Sequence, residues 1–587
     1  MGRSVVKVHG RGRGLNHLQK QRPDSAALAK HRCPACSQAK TLCLARRQPG
    51  RVRTEGVARS CTESSTAGRS TGTTDDRRLA WSQPGRVRTE GVEPSRQLRR
   101  QNLNLVRLPI PPRSRGEPGL APTPMIVKDG PSGTAPLDDA SRARYRRASG
   151  LMTGTLVFRR VRPIDPAAGL EGADEMDVVV EGGRITRIGR DAGANLLGAE
   201  RGVRVVERSG AWLLPGLVDL HAHLREPGAE GKEDIASGLR AAAAGGFVDV
   251  CCMPNTRPVN DSRAITEMLI AKALAQNGSR LHPIGAITVG QKGQELAEMA
   301  DMREAGAVAV SDDGRCVTNS QVMRRALEYA ATFDLTVIQH AEDHALTEGA
   351  QMHEGAVSSR LGLRGWPRVA EDVIVARDLL LAEYVGARYH VAHISTEGAV
   401  RLLREAKSRG ISATAEVTPH HLLLTDEAIG LYDAACKVNP PLREARDVEA
   451  LRGALADGTI DCIATDHAPH GVLDKEVELA EAAPGIIGLE TCVPLLLGLV
   501  RQGVLPLGRL VTSLTTAPAR IAGIEPPRLR EGARADLVLI DPAAHWTIDA
   551  ARIKSKSTNT PFLGKAVQGR VLMTLCEGRS LHEDWEA

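Results

Sequence analysis

Aromatic side chains are scarce in this chain of 587 residues: five Trp, five Tyr and four Phe, 2% of the whole. So few ring faces leave little for base stacking, which argues against a nucleic-acid role for residues 152–587. The scarcity suits a non-aromatic ligand gripped through charge. No apolar run is long enough to span a bilayer, and no stretch has the charged flank and cleavage site of a secretory signal. The eleven cysteines show no disulfide framework, so a reducing cytoplasm is the expected compartment. Cys33, Cys36 and Cys43 begin a zinc-knuckle pattern that lacks a complete set of four ligands.

Charge is unevenly placed behind the net +7. The first 150 residues hold 30 Lys and Arg against 11 Asp and Glu, while the remainder holds 47 against 59. A strongly basic leader therefore precedes an acidic body. The leader is rich in Arg, Ser, Gly, Pro and Thr and lacks apolar periodicity, the composition of a disordered segment. It repeats QPGRVRTEGV at 48–57 and 83–92. Repeats ordinarily mark a structural unit, but this one is too short and polar to bury anything.

What the body does contain is chemistry at strand ends. His221 and His223 follow an apolar run, Leu213 to Leu220, that reads as a buried strand. Side chains alternate along a strand, so both imidazoles project from one side. Two neutral histidines so placed can chelate a divalent metal, although His-x-His alone is weak evidence. Later strand-like runs also stop at polar or metal-capable residues: Gly246–Cys252 before Asn255, Ala305–Val310 before Asp312 and Asp313, and Leu335–Gln339 before His340. Arg388–Ala392 precedes His393, Ser412–Thr418 precedes His420 and His421, and Ile460–Thr465 precedes Asp466, His467 and His470. Helix-like stretches lie between them, at Glu233–Ala244, Gln321–Phe333, Val369–Val385 and Thr396–Ser408. Alternating strands and helices imply a parallel sheet. With Leu281–Val289 as the third strand the count is eight, the number that closes a barrel whose active site lies at the C-terminal strand ends.

Seven stretches in order carry a specific resemblance: His-Ala-His-Leu-Arg-Glu-Pro-Gly at 221–228, Met-Pro-Asn-Thr-Arg-Pro at 253–258, Asp-Asp-Gly at 312–314 and His-Ile-Ser-Thr at 393–396 are the first four. Glu-Val-Thr-Pro-His-His-Leu-Leu-Leu at 416–424, Asn-Pro-Pro-Leu-Arg at 439–443 and Ala-Thr-Asp-His-Ala-Pro-His at 464–470 complete them. Residues 152–587 thus resemble the dihydroorotases of the bacterial type I class, in the amidohydrolase superfamily. The fold implied is α/β: a (β/α)8 TIM-type barrel over 213–520, with a small β-sandwich built from 152–212 and 521–587, where short alternating runs read as strands. Met152 is where the family's chain begins, and the repeat resembles conceptual translation across structural-RNA genes. Residues 1–151 are therefore expected to lie before the true translation start, the rivals being a basic nucleic-acid-binding arm and a transit peptide.

The resemblance places zinc, one or two ions, on His221, His223, Asp313, His340, His393 and Asp466. Many superfamily members carry a carboxylated lysine after the fourth strand, where this chain has Asp313. That difference argues against hydantoinase, allantoinase and dihydropyrimidinase readings. The implied reaction is the reversible cyclisation of N-carbamoyl-L-aspartate to dihydroorotate in pyrimidine biosynthesis, with Asp466 moving the proton. Substrate contacts implied are His223, Arg225, Asn255, Asn439, His470, Pro484 and Gly485. The planar fork of Arg225 suits the substrate carboxylate. A homo-oligomer without membrane attachment is expected. The alternatives are an inactive dihydroorotase-like scaffold for aspartate transcarbamoylase, itself an implied partner, and another cyclic-amide hydrolase. The conformation of 471–484 is left open.

Other polar residues have plainer readings. Asp312 and Asp343 read as helix N-caps, His420 and His421 as packed loop residues, and His344 and His467 as structural. Asp219 reads as support for His221 or His223, or as a solvated turn residue. Cys251 and Cys252 are expected in the core, and Arg257 as a salt-bridge partner.

Overall fold

The computed structural model describes residues 154–196 and 202–585. The basic leader, its repeat, its four cysteines and Met152 lie outside the described residues.

Eight parallel strands form the centre: β1 (Leu217–Ala222), β2 (Phe247–Cys252), β3 (Arg280–Gly285), β4 (Ala309–Ser311), β5 (Thr336–Gln339), β6 (Tyr389–Val391), β7 (Ala413–Val417) and β8 (Cys462–Ile463). Each pairs with its sequence neighbour, as right-handed strand–helix–strand units require. Among the connecting helices are α1 (Ile235–Ala244), α2 (Ser320–Thr332), α3 (Val369–Val385) and α4 (Glu397–Ser408). Their starts are written locally. Asp234 and Ser237 form a capping box on α1, Asn319 caps α2 and Thr396 caps α4, each satisfying backbone N–H groups left over in the first turn. Their apolar faces, such as Leu239, Leu327, Leu379 and Leu403, pack on the outward residues of the strands. Inside the barrel, Val218, Leu220, Cys251, Ile284, Ile338 and Cys462 fill the space below the site.

The barrel nearly closes between β8 and β1. Because β8 is only two residues long, the seam is finished by single contacts: a parallel bridge from Ala222 to His467, and His223 N donating to the His467 carbonyl at 2.9 Å. Thr465 adds to it, donating its N–H to Asp219 Oδ1 at 2.9 Å and its hydroxyl to Oδ2. Asp219 is therefore a fully buried seam residue and not a solvated one. Burial lifts its pKa to about 7 against the opposing pull of the Thr465 hydrogen bonds.

The apolar run expected as one strand from Leu213 splits in two. Trp212–Pro215 pairs antiparallel with Leu537–Thr547, outside the barrel, and β1 begins only at Leu217. Gly216 makes the break: its N–H donates to the Asp536 carbonyl, and a Cβ there would meet Val248 at 2.5 Å.

Outside the barrel lies a nine-stranded sheet among the described residues, drawn from both ends of the body. Thr155–Asp165 joins its halves. It pairs with Met176–Glu181 and Val203–Glu207 along its first part and with Trp212–Pro215 further on, the register against Met176–Glu181 shifting between Phe158 and Val161. Such a bulge bends a strand from one sheet to the other. Leu156, Phe158, Val180, Leu213, Leu539 and Leu572 fill the sandwich between them. Arg280, buried at the start of β3, ties barrel to sandwich. It donates from Nε and Nη2 to Asp249 (2.7 and 2.8 Å) and from Nη1 and Nη2 to Asp536 (3.1 and 2.8 Å).

Candidate active site

The C-terminal ends of β1, β4, β5, β6 and β8 bring the six anticipated ligand side chains into one buried cluster. Two groups of donor atoms share His221: one with His223 and Asp466, the other with Asp313 and His393. His340 joins through Nδ1, 2.9 Å from His393 Nε2 and 3.8 Å from Asp313 Oδ1. The ladder between β1 and β2 is irregular between Asp219 and Ala222. There Leu220 and then His221 both reach the interior.

The donor chemistry fits a divalent cation. His221 donates from Nδ1 to Glu416 Oε1 at 2.6 Å, which leaves a lone pair on Nε2. That lone pair faces Asp313 Oδ1 at 3.3 Å and Asp466 Oδ1 at 3.6 Å. Neither His221 Nε2 nor Asp313 Oδ1 has a hydrogen-bond partner. Acceptors so opposed repel unless positive charge lies between them. Burial works against a charge on His221, yet Asp313, Glu416 and Asp466 together hold its pKa well above the usual value. The same demand is there met by a proton. Burial similarly pushes Asp466 and Asp313 up, and the surrounding imidazoles overcome it, holding both below the ordinary carboxylate range. His393 and Asp466 adopt φ of 29° and 45°, a region that disfavours side chains and is tolerated where the surroundings enforce it. Neutral imidazole and carboxylate donors of this kind suit zinc.

Beside this cluster lie the residues anticipated to hold a substrate. His223 Nδ1 donates to Asn255 Oδ1 at 2.9 Å, so the Asn255 amide nitrogen is left to donate elsewhere. Arg225, at φ 59°, donates from Nε to the Pro469 carbonyl at 3.1 Å, and its Nη2 lies 3.3 Å from His470 Nε2. Burial, then the neighbouring cations Arg225 and Lys232, lower the His470 pKa to about 3, so this partner is neutral. Among the described residues no carboxylate forms an ion pair with Arg225. Asn439 donates from Nδ2 to Glu342 Oε2 at 3.2 Å, and its buried Oδ1 has no partner. The Pro484 carbonyl lies 3.0 Å from His470 Nε2, the ring atom that also faces Arg225. The Gly485 N–H donates to the Lys437 carbonyl, and its carbonyl accepts from Asn559 at 3.1 Å. A side chain at Gly485 would strike Ala468 and His470. The 471–484 stretch contains one short helix, Val472–Lys475, moored by Lys475 donating to the Ala434 and Lys437 carbonyls.

Several plainer readings are revised. Asp312 caps no helix: it is buried and accepts from the backbone of Ile287 and Thr288 at 2.8 and 3.0 Å, fixing the turn after β3. Arg257 is exposed and makes no ion pair among the described residues. His420 and His421 lie on a short helix, Pro419–Leu423. His421 is held by Thr418 and the Pro440 carbonyl, whereas His420 Nε2 is buried without a partner. Asp343 does cap a helix, and Cys251 and Cys252 are buried. Two residues given no role from sequence support the ligands directly. Glu416 holds His221 and also accepts from His393 N at 3.2 Å and His390 Nε2 at 3.2 Å. Glu342 holds His340 at 3.0 Å. A glutamate within the strand-like run 412–418 is itself a signal, because charged residues are seldom wholly buried unless paired.

A family model described as Dihydro-orotase-like matches residues 210–399. The chain is similar to a protein named dihydroorotase from Anaeromyxobacter dehalogenans strain 2CP-1, 51% identical over 438 residues, 74% of this chain and all of that one. A second of that name, from Pelobacter propionicus, is 50% identical over 427 residues, 73% of this chain and 99% of its own length. Among solved structures, the L-hydantoinase (dihydropyrimidinase) of Arthrobacter aurescens superposes with a TM-score of 0.65 at 24% identity, covering 73% of this chain and 96% of the other. That likeness is one of fold.

Proposed function

The chain belongs to the dihydroorotase family, and from that premise we propose that it catalyses the reversible, zinc-dependent cyclisation of N-carbamoyl-L-aspartate to dihydroorotate in pyrimidine biosynthesis. The observation that carries the reading is a buried set of mutually facing acceptors beside an arginine that has no carboxylate counter-ion among the described residues. The first calls for a cation, the second for an anionic ligand.

His221, His223, Asp313, His340, His393 and Asp466 would hold the zinc, as one ion or two. When bound, zinc supplies Lewis acidity toward a carbonyl and a lowered pKa for water. The chain's own groups do the rest. Arg225 binds the carboxylate that stays outside the ring, and Asn255 donates to the same end of the substrate. Asn439 offers a carbonyl to a ureide N–H. His470, with the backbone at Pro484 and Gly485, closes the rim. In the hydrolytic direction Asp466 takes a proton from water as the C–O bond forms, then gives it to the departing ring nitrogen. In the cyclising direction it takes the proton from the attacking carbamoyl nitrogen and returns it to the hydroxyl that leaves as water. The imidazoles of His221, His223 and His393 outweigh burial and keep Asp466 ionised at neutral pH, as a base must be.

The same reading puts the enzyme in the cytoplasm, as a homo-oligomer with aspartate transcarbamoylase as a candidate partner. No helix among the described residues is long and apolar enough to cross a membrane. The test is cyclisation of carbamoyl-aspartate by the full chain with added zinc, beside Asp466→Asn. Activity that needs zinc and is lost in the variant is expected. A folded, zinc-loaded wild type without turnover would refute the reading.

A further inference from the structure

Glu342, two residues beyond His340, is an acceptor surrounded by donors. Its Oε2 accepts from His340 Nε2 at 3.0 Å and from Asn439 Nδ2 at 3.2 Å. Its Oε1 accepts from the Thr347 hydroxyl and from His344 Nδ1, 3.1 Å away. His344 must be a donor there, because its Nε2 accepts from Cys316 N at 3.1 Å. Four donors occupy the lone-pair directions that one ionised carboxylate offers.

Each contact fixes an orientation. A hydrogen on His340 Nε2 leaves the lone pair on Nδ1, the atom that faces His393 and Asp313. A carboxylate can only accept, so Asn439 must turn its Nδ2 to Glu342 and leave its buried Oδ1 open. Asn255 is set the opposite way, its Oδ1 taken by His223. The two asparagines therefore present opposite polarity, one a donor and one an acceptor.

We propose that Glu342 is a positioning residue for both halves of the site, holding His340 with Nδ1 toward the metal and Asn439 with its carbonyl toward a substrate N–H. The identity of the substrate rests on the dihydroorotase reading; the role toward His340 does not. A partner that orients a ligating histidine in this way typically changes metal affinity 10–100-fold when removed.

The experiment compares full-length wild type, Glu342→Ala, Asn439→Ala and the double variant by Co2+ titration of the metal-free proteins, read from the visible absorption band, and by KM and kcat for carbamoyl-aspartate. Glu342→Ala should bind Co2+ at least about tenfold more weakly and raise KM. Asn439→Ala should raise KM and leave Co2+ affinity unchanged. The double variant should show a KM no higher than Glu342→Ala alone, because Asn439 is already misplaced there. Unchanged Co2+ affinity in Glu342→Ala, or KM effects that multiply, would overturn the proposal. Should the alanine variant fail to fold, Glu342→Gln carries the test. Its amide NH2 must face some of the four donors, so a loss in Co2+ affinity or in KM is expected, and no change in either overturns the proposal. A wild type that binds Co2+ but turns over no carbamoyl-aspartate refutes the functional reading, while the Co2+ titration still decides on Glu342.

Discussion

Replacing Arg225 by methionine separates recognition of the substrate's charge from the chemistry on its ring. Methionine keeps much of the unbranched stem, so packing changes little. The backbone at φ 59° is no worse for methionine than for arginine, since both carry a Cβ. What disappears is a guanidinium whose described partners, the Pro469 carbonyl and the His470 ring, are both uncharged. Removing one member of a buried, hydrogen-bonded charge pair costs about 2–5 kcal/mol. With about 1.4 kcal/mol to each factor of ten, the middle of that range is a fall of about 10²–10³ in kcat/KM for dihydroorotate.

Dihydrouracil has the same ring without the carboxylate and supplies the control. It has no charge to lose, so only loosening around Pro469 and His470 should register, less than about tenfold on the same scale. Initial rates of ring opening for both compounds, on wild type and variant with matched zinc content, give the comparison. Arg225→Lys should recover part of the loss, since an ammonium is a point charge without the planar fork. Equal losses on the two substrates would refute the assignment and make Arg225 a packing residue for the 469–470 turn.

Chelating the metal should lower the melting temperature by several degrees, and zinc should restore it, because a ligand present at a thousand times its Kd contributes about 4 kcal/mol. The gap between metal-free and zinc-loaded protein should widen from pH 6 to pH 8. The raised pKa of His221 lets a proton stand in for the cation at low pH, and that stabilisation is lost as pH rises through the folded value. A calorimetric scan at pH 8 unaffected by chelator would contradict this. Arg280→Met should cost about 3–5 kcal/mol in urea unfolding, since it removes the buried cation that Asp249 and Asp536 share and leaves them only His282 and Arg534. In the wild type both carboxylates are held below their ordinary pKa, Arg280 overcoming the effect of burial. In the variant burial is opposed only by His282 at Asp249 and by Arg534 at Asp536, so both pKa values rise. The deficit should be largest near neutrality and shrink as pH falls into the carboxylate range. A deficit independent of pH would mean that lost packing dominates.

The barrel was legible because its two periods are cleanly separated. Val369–Val385 is the helix expected to the residue, and the other helices differ from expectation by a residue or two at their ends, as frayed boundaries do. The third strand was harder: Leu281–Val289 shortens to Arg280–Gly285, because from Ile287 the backbone turns to bond Asp312. The split of the first apolar run at Gly216 was hidden for a different reason. Leu213 and Leu217 are equally apolar, and nothing local says that one faces the sandwich and the other the barrel. Within the site, residues that end a strand with a polar side chain stood out, and six such residues do meet. Glu416 did not, because His221 lies 195 residues away in sequence, and neither did the link that Glu342 makes from His340 to Asn439, 97 residues on. Asp219 was ambiguous for the same reason, its partner Thr465 arriving only when the barrel closes.

Sharing a fold with a hydantoinase at 24% identity leaves substrate choice open, since one scaffold supports many chemistries. The discriminating features must be local. A pocket built for neutral cyclic ureides gains nothing from an arginine without a counter-ion, because desolvating an unpaired cation is costly. Burial depresses the Arg225 pKa, and the nearest opposing influences are Asp466 and Asp313, carboxylates that a bound cation would neutralise. With the metal in place Arg225 would lose even that distant compensation, and the region would carry an excess of positive charge until an anion entered. Substrates with a carboxylate would relieve the excess and neutral rings would not. The cation and Arg225 should therefore act together in selecting the substrate. It follows that Arg225→Met should bind zinc more tightly than the wild type, or at least as tightly, while losing dihydroorotate. A competition titration with a chromophoric chelator measures this directly, and weaker zinc binding in the variant would break the electrostatic argument.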